Sequence, residues 1–83
     1  MKVKEPAADY FLDITNDVCP LTFVKTRLRI ERMSSGATLL VRLGQGEPLE
    51  NVPRSVKELG HEILSLRADD SAPGVFFLCI RKA

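Results

Sequence analysis

The sequence predicts a two-layer α/β (α+β) sandwich, a four-stranded mixed sheet with two helices on one face and element order β-α-β-α-β-β. Residues 10–14, 37–43, 61–68 and 75–82 are short runs rich in branched and aromatic side chains, the composition of strands. Residues 21–33 contain good helix formers and neither Gly nor Pro, and a second helical stretch ends at Gly60. Clusters of Gly, Pro, Asn, Asp and Ser separate the runs. Helices on one side of a sheet give each amphipathic element a partner for its apolar face.

The first strand, 10–14, is interrupted by Thr15-Asn16-Asp17, where Asn16 is the residue most able to take up a left-handed conformation. Cys19-Pro20 then opens the first helix. Proline fits a first turn because its missing N–H would have had no helical partner there. Ser34-Ser35-Gly36 ends the helix. By spacing, Phe23 and Ile30 fall on one line and Leu21, Val24 and Leu28 on another, which predicts a broad apolar side facing the core. Lys25, Arg29 and Arg32 form a basic stripe elsewhere, and Arg27 and Glu31 sit near the apolar edge.

Residues 44–48 read as a loop. Asn51-Val52-Pro53 has the look of a cap with an early-turn proline, starting the second helix. The last two strands flank the turn 69–74, so they are expected to form an antiparallel hairpin. Strand order within the sheet is left open.

Bulk properties narrow the function. A chain of 83 residues is one domain, expected over 10–83 with a flexible tail over 1–9. A domain of this size buries only about 60–65% of its unfolded surface, which favours work at a surface over a deep cofactor pocket. With 12 Lys+Arg against 11 Asp+Glu, the balance lacks the basic excess of a dedicated nucleic-acid binder. No apolar run approaches the roughly 18 residues of a membrane span, and the N-terminus has no apolar signal core, so a cytoplasmic location is expected. The two cysteines and one histidine are too few for a disulfide scaffold or a structural zinc site.

Cys19 is the candidate working group. A thiolate is the reactive form of cysteine, and helix starts favour it through unpaired N–H groups and the positive dipole end. At up to ~2 kcal/mol, that effect lowers a thiol near 8.5 by roughly one unit, toward physiological pH. Lys25 stands nearly two turns along the helix, where its help is weak, and Asp17 opposes ionisation if it approaches the sulfur. The plainer reading, a small buried apolar cysteine, stands beside this one. For Cys79, inside an apolar strand, the buried structural reading leads. His61 follows a helix-ending Gly and reads as structural rather than as a base for the thiol. Gly44-Gln45-Gly46 lacks the Lys-Ser/Thr of a phosphate loop.

The stretch Leu12-Asp13-Ile14-Thr15-Asn16-Asp17-Val18-Cys19-Pro20-Leu21-Thr22 resembles the D-x-x-G-x-x-C-P-x-P pattern of the TusA/SirA-like sulfur carriers. Gly36, Gly60-His61-Glu62 and Ile80-Arg81-Lys82 add matches in the same order, so the resemblance covers the chain from about Leu12 onward. It implies that Cys19 accepts sulfur as a persulfide from a protein donor, a cysteine desulfurase or rhodanese-like protein. An acceptor protein in tRNA thiolation or other sulfur metabolism then receives it. Asp13, Pro20 and Thr22 are the supporting motif positions. No organic cofactor, metal, nucleic acid or membrane is implied, and the chain is expected to act as a monomer. Asn16 replaces the pattern's glycine and Thr22 its second proline. The Thr22 hydroxyl is placed to bond a first-turn N–H or the sulfur, or else marks a branch with another partner.

The basic stripe of Lys25, Arg29 and Arg32 is a candidate docking face for such partners. Two other functions compete with sulfur carriage. One is a non-catalytic interaction or redox-regulatory module on the same scaffold. The other is a small RNA-binding domain, disfavoured by the charge balance and by an expected lack of aromatics on the exposed strand face.

Overall fold

The computed structural model describes residues 8–18 and 21–83; Cys19, Pro20 and most of the expected N-terminal tail lie outside the described residues. The elements are β1 (Tyr10–Asp13), α1 (Leu21–Glu31), β2 (Thr38–Gly44), α2 (Glu47–Glu58), β3 (Glu62–Ala68) and β4 (Val75–Arg81). They form a four-stranded sheet in the order β1-β2-β4-β3. β1 runs parallel to β2, and β4 is antiparallel to both β2 and β3, so the sheet is mixed as expected. Among the described residues no helix is long and apolar enough to cross a membrane.

Period-two alternation in the strands decides which face is covered. Leu39, Val41 and Leu43 of β2 and Leu78 and Ile80 of β4 are wholly buried, and they cluster with Ile30 of α1 and Val52 and Val56 of α2. Both helices therefore cover one face. The open face carries the intervening residues, among them Phe11, Leu40, Arg42 and Phe77. Two aromatic rings thus stand where none was expected. Two cations there are matched by anions, with Arg42 between Asp13 and Asp69 and Arg81 on Glu62.

Asp9, just before β1, is tied to β2. The Asp9 carboxylate accepts the Thr38 backbone N–H at 3.0 Å, and the Thr38 hydroxyl accepts the Asp9 N–H at 2.9 Å. That reciprocal pair pins Asp9 and the start of β1 to the start of β2.

The second helix starts a turn earlier than its sequence cue. Glu47 and Pro48 lie within α2 rather than in a loop, Gly46 is the N-cap at φ 92°, and Pro48 takes the first-turn place expected of Pro53. Two prolines five residues apart both satisfy part of the N-terminal rule, and Pro53 ends up inside the helix. The β3–β4 hairpin forms as expected. Asp69 Oδ1 closes its turn by accepting the Ser71 N–H at 2.9 Å and the Ser71 hydroxyl at 2.7 Å.

The apolar side of α1 is not the side that faces the core. Thr22, Thr26 and Ile30 are buried, whereas Leu21, Val24 and Leu28 are 47%, 41% and 55% exposed. Threonine reaches the core because the Thr26 hydroxyl donates to the Thr22 carbonyl at 2.8 Å. With its donor satisfied inside its own helix, the side chain presents a methyl group to the sheet. Phe23, expected on the same line as Ile30, is half-buried.

Candidate functional site

The loop from β1 to α1 carries the Cys-Pro pair, and its described residues are tightly braced. Asp13, the last residue of β1, accepts the Thr15 N–H at 2.9 Å and the Thr15 hydroxyl at 2.7 Å through Oδ1. Its Oδ2 lies 3.3 Å from Arg42 Nη1 on β2. The Thr15 hydroxyl and then the Thr15 N–H hold the Asp13 carboxyl below the usual carboxylate range; burial pushes against them, and the Arg42 guanidinium adds its own downward pull. This motif position therefore ties the loop to the sheet. Ile14 follows, buried, with its N–H on the Arg42 carbonyl at 2.9 Å and its carbonyl accepting the Asp17 N–H at 3.1 Å.

Residues on either side of the Cys-Pro pair are joined directly. The Leu21 N–H donates to the Val18 carbonyl at 2.8 Å. Lys25 Nζ reaches back to Asp17 Oδ1 at 2.8 Å. Spacing along the helix had set Lys25 apart from the loop and Asp17 against the thiolate; the fold instead pairs the two charges.

Of the expected basic stripe, Lys25 is thus engaged with Asp17, and Arg29 lies over the Tyr10 ring, its guanidinium carbon 4.4 Å from the ring centroid. Arg32 is exposed just past the end of α1. Thr22 is fully buried, its carbonyl receiving the Thr26 hydroxyl. Cys19 and Pro20 lie outside the described residues.

A cleft of about 310 Å³ opens beside the loop, lined by Ile14, Thr15, Asp17 and Val18 on one side and by Gly44, Gln45, Glu47 and Pro48 on the other. Sequence reasoning missed this second wall. Its residues stand some thirty positions away along the chain, and only the parallel pairing of β1 with β2 brings the two loops to one end of the sheet. Val18, at the cleft's rim, is 70% exposed.

The other candidates fall elsewhere. Register sets Asp13 beside Arg42 and Phe77, whereas Glu62 pairs with Arg81, which pairs with Thr38. His61 therefore sits at the opposite end of the sheet from the braced loop, where its Nδ1 accepts the Ala83 N–H at 3.1 Å. Cys79 is buried in β4.

Comparison with known proteins bears on the chain as a whole. The family model described as sulfurtransferase TusA matches residues 10–82. The chain belongs to the TusA family. A TusA relative from Archaeoglobus fulgidus, provisionally described as a sulfur carrier protein, is 46% identical over 59 residues, which cover 71% of this chain and 67% of that one. A Thermotoga maritima protein with the same provisional description is 36% identical over 55 residues, covering 66% of this chain and 70% of its own length. Among solved structures, a SirA-like protein from Desulfitobacterium hafniense superposes with a TM-score of 0.75, covering 87% of this chain and 95% of that one. At 16% identity that likeness speaks for the TusA/SirA-like fold alone.

Proposed function

We propose that the protein is a sulfur carrier that holds sulfur as a persulfide on Cys19. A protein donor, a cysteine desulfurase or a rhodanese-like protein, supplies the sulfur and a protein acceptor receives it. The observation that carries this reading is the TusA match over residues 10–82, which encloses Cys19-Pro20. The descriptions of the archaeal and bacterial relatives point the same way.

The chemistry is a thiol exchange. The Cys19 thiolate attacks the outer sulfur of a donor Cys–S–SH; a new S–S bond forms as the donor's own S–S bond breaks, and the donor leaves as a thiolate. Cys19 becomes Cys–S–SH, and no external oxidant or reductant is consumed. Delivery repeats the exchange with Cys19 as the leaving thiolate. Because the bonds made and broken are alike, direction is set by which protein docks.

Docking falls to the outward face of α1. Leu21, Val24 and Leu28 are exposed along it, with Val18 exposed in the loop before it, bordered by Lys25, Arg29 and Arg32. A partner presenting an apolar patch with an acidic rim fits that surface.

The test is incubation with a cysteine desulfurase, its pyridoxal cofactor and cysteine, followed by intact mass spectrometry. One added sulfur, removed by reductant, is expected; Cys19→Ser abolishes it and Cys79→Ser does not. Label on Cys79, or none with any desulfurase of the host, sinks the reading.

A further inference from the structure

β3 forms one edge of the sheet, and every residue in it except Ile63 is exposed. Leu64 and Leu66 are 43% and 44% exposed, and Leu59, just past the end of α2, is 44% exposed. An edge strand with an apolar rim is a template for pairing with another strand.

The irregularity within β3 selects a register. Ile63 pairs with Ile80 and Ser65 with Cys79, so Leu64 is an extra residue with no opposite number in β4. The bulge reverses the alternation along the strand. Glu62 on one side of it and Ser65 and Arg67 on the other all share the open face, while Ile63 and Leu66 share the helix-covered face.

Laid antiparallel to itself, β3 keeps like faces together over its length when Glu62 stands opposite Arg67 of a second copy. The same register sets Ile63 opposite Leu66, and Leu64 opposite Ser65 about a two-fold axis. Each contact occurs twice. Opposite charges then meet on the open face and apolar side chains on the covered face.

We propose that β3 pairs in this register with β3 of a second copy of the chain, doubling the sheet across a two-fold axis. Arg81, already on Glu62 within the chain, extends the contact into a row of alternating charge. One strand edge buries far less than the roughly 1,200–2,000 Å² of a standard stable interface, so association is weak and concentration-dependent. β3 and β1 are opposite edges of the sheet, so the outward face of α1 stays open in the dimer.

Sedimentation equilibrium of the full chain in reductant tests this. A monomer–dimer equilibrium is expected. Glu62→Arg and Arg67→Glu each weaken it by about tenfold or more, and the double exchange restores it to within about threefold. In the unsubstituted protein, amide exchange at Ile63 and Leu66, which stand opposite each other across the seam, slows as concentration rises. A monomer at every accessible concentration overturns the proposal. So does a dimer indifferent to the single reversals, or amide exchange in β3 that does not change with concentration.

Discussion

Lys25 Nζ lies 2.8 Å from Asp17 Oδ1, so a cation from the second turn of α1 is held against the loop that precedes the helix. The pair spans the chain positions of Cys19 and Pro20. A partly shielded carboxylate two residues along the chain from Cys19 is thereby neutralised.

Lys25→Met leaves the Asp17 carboxylate uncompensated. Alkylation of Cys19 by iodoacetamide at pH 7 is expected to slow by about two- to threefold, the effect of a surface charge at short range. Adding Asp17→Asn restores the rate. Equal rates in all three proteins mean that the pair does not act on the thiol.

The apolar face of α1 serves docking in the proposed function rather than folding. Leu28→Glu, at a position 55% exposed, is expected to change thermal stability by less than about 1 kcal/mol. It slows sulfur loading from a desulfurase by about tenfold or more. Alkylation of Cys19 by a small reagent stays unchanged, which separates docking from thiol reactivity. Equal losses in both assays argue against a docking role.

Ile30, buried opposite that face, behaves in the reverse manner. Ile30→Ala removes a fully buried side chain and is expected to cost about 3 kcal/mol in urea unfolding. Thr26→Val keeps the volume and deletes only the hydroxyl that donates to the Thr22 carbonyl, so it stays within about 1 kcal/mol. A large loss for Thr26→Val would mean that the hydroxyl does more than satisfy itself.

Asp13 gives the protein an acid-sensitive brace. Its carboxyl is held low in the fold by Thr15 and Arg42, so its contribution to stability is present above the unfolded value near 3.8 and is lost as pH falls through the folded one. Below about pH 4, stability declines. Asp13→Asn, which has no carboxyl to protonate, flattens that part of the profile as followed by circular dichroism. A profile identical to wild type places the acid sensitivity elsewhere.

How much was legible in the sequence differs from one element to the next. The strands were plain because β2 and β4 are largely apolar and carry branched or aromatic residues, and punctuation by Gly and Pro made the order of elements readable. Inside α1, hydropathy pointed the wrong way. Leu21, Val24 and Leu28 are the natural candidates for burial, and only the Thr26 hydroxyl closing on the Thr22 carbonyl shows why threonine takes the inner face instead. The start of α2 was ambiguous because Pro48 and Pro53 compete for one rule. Of the site, the Cys-Pro motif and Asp13 were visible as a local pattern. The second wall of the cleft, Gly44 to Pro48, was not, since its place depends on strand pairing that no local signal encodes.

The sheet order β1-β2-β4-β3 puts the last strand in the chain between two earlier ones. During synthesis, β2 and β3 leave the ribosome with no direct pairing between them and wait for residues 75–81 to fill the gap. Until then Leu39, Val41 and Leu43 lack the β4 neighbours that complete their surroundings. A nascent chain arrested before Val75 is therefore expected to be a client of chaperones rather than a partly working carrier.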